Sequence, residues 1–153
     1  MNFGIALASA VDSWKHVKRA EELGFSSSWF YDTQLLNPDI FICMALAAEK
    51  TSRIRLGTGV LIPSNRIEPV TANALATLNR IAPGRVDFGV GTGFTARRTM
   101  GLKAIPLRVM KRYIERVQEL LRGNLIEWDF ESENRKISFL NPEYGLINLE
   151  DPI

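Results

Sequence analysis

An apolar run followed by an amphipathic stretch occurs four times along this chain of 153 residues. The apolar runs predict strands at residues 3–7, 26–31, 54–60 and 85–90, and a predicted helix follows each strand. Such alternation is typical of parallel strands joined by right-handed crossovers. The sequence therefore predicts an α/β fold built on a parallel sheet.

Proline and glycine stand where helix ends are expected. Asn37 followed by Pro38 predicts the start of the second helix, with the proline at its first helical position. The other predicted starts are Asp12 or Ser13, Pro69 and Pro106, and the predicted stops are Gly24, Pro83-Gly84 and Gly123.

After residue 124 the pattern changes, because residues 126–130 and 136–140 predict a polar-edged hairpin. No linker or low-complexity segment interrupts the chain, so residues 1–153 are predicted to form one domain or one half of one. Four strand–helix units are compatible with a small doubly wound sheet. They also fit the N-terminal half of a (β/α)8 TIM barrel, which needs roughly 250 residues.

Composition excludes several functional classes. Nineteen Lys and Arg against seventeen Asp and Glu give a net charge of +2, too near neutral to favour a nucleic-acid partner. One Cys and one His exclude an internal disulfide and a His/Cys metal cluster within one chain. The longest uncharged apolar run, residues 40–48, is too short to span a membrane, and no signal peptide is visible. We expect a cytoplasmic protein without a metal or a membrane partner.

The second predicted helix is apolar all round over residues 40–48. A helix on the outside of a monomer has a polar face, so this helix is expected to have a second burial surface. We therefore predict a homodimer through helix 38–52, or else association with a missing second half-barrel.

Glycines mark the ends of the third and fourth predicted strands, at positions 57, 59, 89, 91 and 93. One interpretation is close approach of a planar or phosphorylated ligand to the backbone, and the other is crowded strand packing and tight turns. A dinucleotide fingerprint fails, because Phe94 occupies the position of its third glycine and no helix is expected directly behind the run.

Few other side chains are candidates for chemistry. Asp32 ends the second strand, where a carboxylate can orient a ligand or accept a proton, or else cap a turn. Arg97 and Arg98 are either contacts for an anionic ligand or solvated loop residues. His16 is expected on the surface and Cys43 in the core, and Asp87 is expected to pair with Arg55 or Arg85.

Two segments together resemble luciferase-like oxidoreductases. Residues 51–63 (Thr-Ser-Arg-Ile-Arg-Leu-Gly-Thr-Gly-Val-Leu-Ile-Pro) resemble the family's third-strand signature. Residues 82–93 (Ala-Pro-Gly-Arg-Val-Asp-Phe-Gly-Val-Gly-Thr-Gly), followed by Arg-Arg-Thr-Met-Gly at 97–101, resemble its fourth-strand signature. The openings Phe-Gly-Ile at 3–5 and Ala-Glu-Glu-Leu-Gly-Phe at 20–25 also fit, so the resemblance covers essentially the whole chain.

The resemblance implies an eight-unit barrel, of which this chain would be the N-terminal half, binding FMN or a deazaflavin at the C-terminal strand ends. It also implies a dimer through the early helices. Gly59-Val60 corresponds to a non-proline cis peptide beneath the cofactor ring, and Asp32 corresponds to an acidic residue near that ring. The implied cofactor-binding residues are Thr58, Gly59, Val60, Gly91, Gly93 and Thr95.

Three functions follow from the resemblance. The first is a flavin monooxygenase, in which reduced flavin activates oxygen for attack on a small organic substrate. The second is a deazaflavin-dependent reductase or dehydrogenase that transfers a hydride. The third is a non-catalytic half-barrel that acts in association, since the family's phosphate loops belong to a second half and this chain ends before a fifth barrel strand. Phe94 stands where sugar-phosphate-oxidising relatives have Glu, which argues against that substrate class.

Overall fold

The computed structural model describes residues 1–63 and 65–153 and has an α/β fold with a parallel sheet, as predicted. Its elements are β1 (Gly4–Leu7), α1 (Trp14–Glu22), β2 (Ser27–Phe30), α2 (Ile40–Lys50), β3 (Arg55–Thr58), α3 (Glu68–Ile81), β4 (Val86–Asp87), α4 (Phe94–Arg98), α5 (Leu107–Leu121), β5 (Ile126–Phe130), β6 (Glu133–Ile137) and a 3-10 turn (Pro142–Tyr144).

Sheet and helices both follow the order of the chain. The strands are ordered β1-β2-β3-β4, and all three pairings are parallel. Neighbouring helices pack in the same sequence, α1 on α2, α2 on α3 and α3 on α5. A doubly wound sheet reverses its strand order at a switch point. These four strands show no reversal, which argues against the doubly wound alternative.

The core lies between the sheet and the helices. Phe30 and Leu56 of the sheet are completely buried, as are Met44 of α2, Leu75 of α3 and Val117 of α5. Burial of such side chains is the main driving force that holds the helices on the sheet. Because all three strand pairings are parallel, the C-terminal ends of the four strands lie at one edge of the sheet.

The fourth strand is shorter than predicted, because the Thr58 side chain makes hydrogen bonds to Gly89 that backbone atoms of β3 would make in a regular strand pair. The Thr58 hydroxyl donates to the Gly89 carbonyl at 2.8 Å and accepts from the Gly89 amide at 3.0 Å. Strand pairing then resumes only as a bridge between Leu61 and Val90.

Helix α2 begins later than predicted. Asp39, and not Asn37, caps the helix, because its carboxylate accepts from the amides of Phe41 at 2.9 Å and Ile42 at 3.2 Å. Asn37 belongs to the preceding turn, in which its own amide donates to the Thr33 carbonyl.

Two other predicted boundaries are also wrong. The short helix α4 starts directly after Gly93, where no helix was expected; the positive φ of 80° at Gly93 allows the sharp entry into it. The second hairpin strand is Glu133–Ile137 instead of residues 136–140. Glu131 and Ser132 both have positive φ, so they form a two-residue turn that pairs Phe130 with Glu133.

Helix α2 carries an apolar surface away from the core, as its sequence predicted. Ile42 is 60% exposed, and it lines a groove with Phe41 and Ala45 of α2 and with Leu78 and Ile81 of α3. The homodimer through helix 38–52 stays a prediction. No helix in the described part of the chain has the length and apolarity needed to cross a bilayer.

Candidate functional site

A pocket of about 480 Å³ lies at the C-terminal ends of the four strands. This is the edge at which α/β proteins bind ligands, and the volume falls within the roughly 300–1,000 Å³ typical of small-molecule sites. Each strand contributes the segment that follows it. The lining residues are Ala8, Tyr31, Asp32, Thr33, Leu36, Asn37, Gly59, Val60, Ile62, Gly93, Phe94, Thr95 and Ala96.

Five of the seven predicted site residues come together in this pocket, namely Asp32, Gly59, Val60, Gly93 and Thr95. The Gly59-Val60 peptide bond is cis, as the family resemblance implied. The cofactor roles of these residues stay predictions, but their common location agrees with the pattern from which they were chosen.

Thr58 and Gly91 lie outside the pocket lining. The Thr58 side chain is completely buried, and its hydroxyl is occupied by both polar backbone atoms of Gly89. Gly91 lies beside Val60: a Cβ atom at this position would meet Val60 Cγ2 at 2.5 Å. Both residues therefore support the pocket wall from behind.

Packing alone accounts for glycine at two positions of the predicted ligand-contact run. The Cβ that Gly91 lacks would collide with Val60, and one at Gly93 would lie 2.5 Å from Ile62 Cγ2. Of the two interpretations of these glycines, crowded strand packing therefore has direct support from neighbouring protein atoms. Gly93 also borders the pocket, so packing and ligand approach are compatible there.

Asp32 lies behind the pocket surface, with no exposed area on its side chain. Its carboxylate accepts from Gln34 Nε2 at 2.6 Å and from the Ile62 amide at 3.2 Å. Arg66 Nη1 donates to both carboxylate oxygens, at 3.2 and 3.1 Å. All these partners are donors, so the carboxylate acts as an acceptor that ties the end of β2 to the segment after β3.

Arg66 is the residue that sequence reasoning missed. Its side chain is only 13% exposed and bridges Asp32 to Asp39, with Nη2 2.6 Å from Asp39 Oδ2. The guanidinium also lies over the Phe41 ring, 5.1 Å from its centroid. Thirty-four positions separate Arg66 from Asp32, and no local pattern in the sequence connects the two.

The Arg66 bridge also acts on Asp39. Burial raises the pKa of Asp39, but the hydrogen bond and charge of Arg66, with the amides of Ile42 and Phe41, outweigh it and hold that pKa below its usual value. The carboxylate that caps α2 is thereby kept ionised, which favours both the cap and the ion pair.

The pocket suits an apolar ring better than a phosphate. Its rim exposes the side chains of Tyr31, Leu36, Val60 and Phe94. No Lys or Arg occurs among the described residues that line it. Neither of the two predicted anion contacts lines the pocket: Arg98 lies over the ring of the rim residue Phe94 at 5.0 Å, and Arg97 Nε donates to the Lys103 carbonyl.

The remaining candidate residues are structural. Arg55 Nη2 lies 2.7 Å from Asp87 Oδ1. Of the two predicted partners of Asp87, Arg55 and Arg85, the structure therefore shows Arg55. Cys43 is buried, and burial raises the pKa of its thiol. His16 is exposed, as predicted. Within residues 1–63 and 65–153, no group of three or more His, Cys, Asp or Glu side chains could hold a metal ion.

Residues 6–145 match the sequence profile of the family described as luciferase-like monooxygenase. The chain belongs to this family. The 5,10-methylenetetrahydromethanopterin reductase of Archaeoglobus fulgidus is 31% identical over 147 residues, which cover 91% of this chain and 44% of the reductase. The family resemblance drawn from the third- and fourth-strand segments is thereby confirmed.

Solved structures of this luciferase-like family share the fold. The coenzyme F420-dependent tetrahydromethanopterin reductase from Methanopyrus kandleri superposes with a TM-score of 0.76 at 28% identity, over 88% of this chain and 44% of the reductase. The FMN-bound oxygenating constituent of 3,6-diketocamphane monooxygenase from Pseudomonas putida has a TM-score of 0.77 at 14% identity, over 97% of this chain and 47% of that one. The second likeness concerns the fold alone. The chain spans less than half the length of each relative.

Proposed function

We propose that this chain provides the ring-binding half of a deazaflavin-dependent oxidoreductase that transfers a hydride to or from a small organic substrate. The observation that carries the proposal is the pocket at the C-terminal strand ends, with the cis Gly59-Val60 peptide in its wall. Similarity supports the deazaflavin alternative over the flavin monooxygenase, because the structure of the reductase that depends on coenzyme F420, a deazaflavin, is 28% identical to this chain and the Archaeoglobus reductase is 31% identical.

The residues fit the ring part of such a cofactor. Val60 and Phe94 present exposed apolar surface at the rim, and the exposed Thr95 offers a hydroxyl beside them. When bound, the deazaflavin ring would supply the hydride chemistry. The chain itself would position the ring, and the apolar rim would exclude water from one of its faces.

The phosphate end of the cofactor requires cations that this pocket does not provide among its described lining residues. We propose that those contacts come from a second half-barrel, which would also cover the unpaired sides of β1 and β4. Asp32 would not touch the cofactor directly, because its carboxylate has no exposed surface. Its role in this proposal is to hold the pocket wall.

A fluorescence titration tests the proposal. The purified chain is titrated with the deazaflavin, with FMN and with riboflavin, which lacks the phosphate. We expect saturable binding of the deazaflavin, and comparable affinity for FMN and riboflavin, because the pocket holds the ring. The variant Val60→Asp, which places a charge at the exposed rim, should abolish binding, whereas Val70→Asp on exposed α3 surface should not.

Three results would point elsewhere. Binding of FMN without binding of the deazaflavin would favour the monooxygenase function. Binding of neither at high concentration would leave the non-catalytic half-barrel as the better account of this chain. Binding that survives Val60→Asp would show that the ring lies outside this pocket.

A further inference from the structure

Arg66 has three independent anchors that fix its position. Its guanidinium pairs with Asp32 on one side and with Asp39 on the other. Its backbone carbonyl accepts a hydrogen bond from the Tyr113 hydroxyl of α5 at 2.9 Å. A flexible side chain held at this many points loses most of its alternative rotamers, so the guanidinium is a fixed element of the structure.

Because the Arg66 guanidinium is fixed, the Asp32 carboxylate that it holds is fixed as well, and Asp32 contacts the pocket wall. The carboxylate held by Arg66 accepts the Ile62 amide at 3.2 Å, and Ile62 lines the pocket two residues beyond the cis peptide. The Asp32 side chain is completely buried and the Arg66 side chain is 13% exposed, so neither group can turn to solvent without losing its partner. A shift of Arg66 therefore displaces the Asp32 carboxylate.

We propose that Arg66 is a positioning residue: by bridging Asp32 and Asp39 it fixes the Asp32 carboxylate, which in turn holds the pocket wall at residues 59–62. The positioning role itself needs no cofactor. The inference rests on the proposed function in one respect, which is that it treats this pocket as the cofactor site. It also accounts for the charge of Arg66, which is shared between two carboxylates and so is not directed at an anionic ligand.

Hydrogen exchange of the Ile62 amide in the full chain tests the inference without any ligand. The Leu56 amide, which donates to the Arg85 carbonyl within the sheet, is the internal reference for global opening. In Arg66→Met, we expect exchange at Ile62 to accelerate about tenfold relative to Leu56. Arg66→Lys keeps the charge but not the two-sided bridge, so it should give a smaller acceleration.

One variant separates positioning from general stability, and a second tests the bridge itself. Arg116→Met removes a comparable bridge, from Arg116 to Glu68 and Asp129, which is not part of the pocket. It should leave the ratio of Ile62 to Leu56 exchange nearly unchanged. Asp39→Asn keeps a good helix cap and the Arg66–Asp32 contact but removes the second ion pair, so it should give a smaller acceleration than Arg66→Met. Should Arg66→Met fail to fold, Asp32→Asn keeps the side-chain shape and should accelerate Ile62 exchange in the same way.

The outcomes distinguish this inference from the proposed function. An unchanged exchange ratio in Arg66→Lys and Asp32→Asn, or an equal change in Arg116→Met, overturns the positioning role whatever the chain binds. The accelerated ratio supports it. Deazaflavin titration of the same variants gives a separate result. If the parent chain binds the deazaflavin, Arg66→Met should weaken that binding about tenfold. If the parent chain does not bind it, the proposed function fails and the positioning role is unaffected.

Discussion

The hydroxyl of Thr58 exchanges two hydrogen bonds with the backbone of Gly89, donating to its carbonyl at 2.8 Å and accepting from its amide at 3.0 Å. One side chain thus takes the place of a backbone pair in the ladder between β3 and the segment after β4. The exchange occurs directly before the cis peptide between Gly59 and Val60, and backbone pairing resumes beyond it at Leu61.

Replacing Thr58 by Val should therefore destabilise the fold. The substitution keeps the shape but leaves the Gly89 amide without its partner, while the Gly89 carbonyl keeps the hydrogen bond from the Leu61 amide. The free energy of unfolding should therefore fall by about 1–3 kcal/mol. Urea denaturation measures the loss. Thr77→Val, measured at dilutions at which the chain is monomeric because Thr77 lines the α2–α3 groove, is the control: the exposed Thr77 hydroxyl donates to the Asn73 carbonyl of its own helix. An equal loss in both variants would contradict the role given to Thr58.

The Glu21 carboxylate should make stability dependent on pH. Burial opposes its ionised form, but hydrogen bonds from the amides of Ile54, Arg53 and Ser52, with the charge of Arg53, outweigh this and hold its pKa below the usual 4.5. Because the folded pKa is the lower one, the stabilisation is present above 4.5 and is lost as pH falls through the folded value.

Unfolding midpoints of Glu21→Gln and the parent chain should therefore differ at neutral pH and converge in acid. The matched control is Glu22→Gln, since Glu22 forms an exposed ion pair with Arg19. A difference in unfolding midpoint between Glu21→Gln and the parent that stays constant across the acid range would contradict this. It would show that the hydrogen bonds from the backbone amides do not depend on the charge of Glu21.

Tyr113 should make the fold sensitive to alkali. Burial raises the pKa of its hydroxyl from 10.0 to about 12. The neutral form is thus favoured in the folded chain, so its stabilisation is complete below the unfolded value of 10.0 and is lost as pH rises toward about 12. Tyr113→Phe should lower stability at neutral pH by about 1–3 kcal/mol, because the buried Thr71 hydroxyl and the Arg66 carbonyl lose a partner.

Denaturation of Tyr113→Phe as a function of pH measures both effects. The variant should lack the alkaline decline that Tyr113 causes in the parent chain. Tyr144→Phe is the control, because Tyr144 is exposed. If the alkaline decline persists unchanged in Tyr113→Phe, its source is another group.

The apolar groove between α2 and α3 should hold a second copy of the chain. Sedimentation velocity should detect a homodimer for the parent chain and a monomer for Ile42→Glu, which puts a charge at the most exposed apolar residue of α2. Leu125→Glu, at an equally exposed residue outside the groove, should remain dimeric. A monomeric parent chain at high concentration would contradict the predicted homodimer.

Local patterns predicted the fold well, because strand–helix alternation depends on residues close in sequence. They located Asp32, Gly59 and Gly93, because strand ends of a parallel sheet meet at one edge, whereas Val60 and Thr95 were chosen from the family resemblance. The predicted cap at Asn37 was wrong because two candidate cap residues stand close together, and only the fold gives Asp39 its partner in Arg66.

The features that sequence reasoning missed depend on distant contacts. The Arg66–Asp32 pair joins residues 34 positions apart, and nothing in either neighbourhood marks the partner. The turn at Glu131 and Ser132 lacks the usual Asn-Gly or Asp-Gly signal, so the hairpin register could not be read from its residues. Helix α4 depends on the positive φ of Gly93, which a glycine permits but does not require.

The central claim is that a deazaflavin ring binds in the pocket at the C-terminal strand ends. Isotope-filtered NMR on the labelled chain with saturating deazaflavin tests it most directly, through nuclear Overhauser contacts between ring protons and side-chain methyl groups. The account predicts contacts from the ring to the methyl groups of Val60 and Ile62, which line the pocket. Contacts confined to the groove at Ile42 and Ile81, or no contacts at saturation, would contradict it.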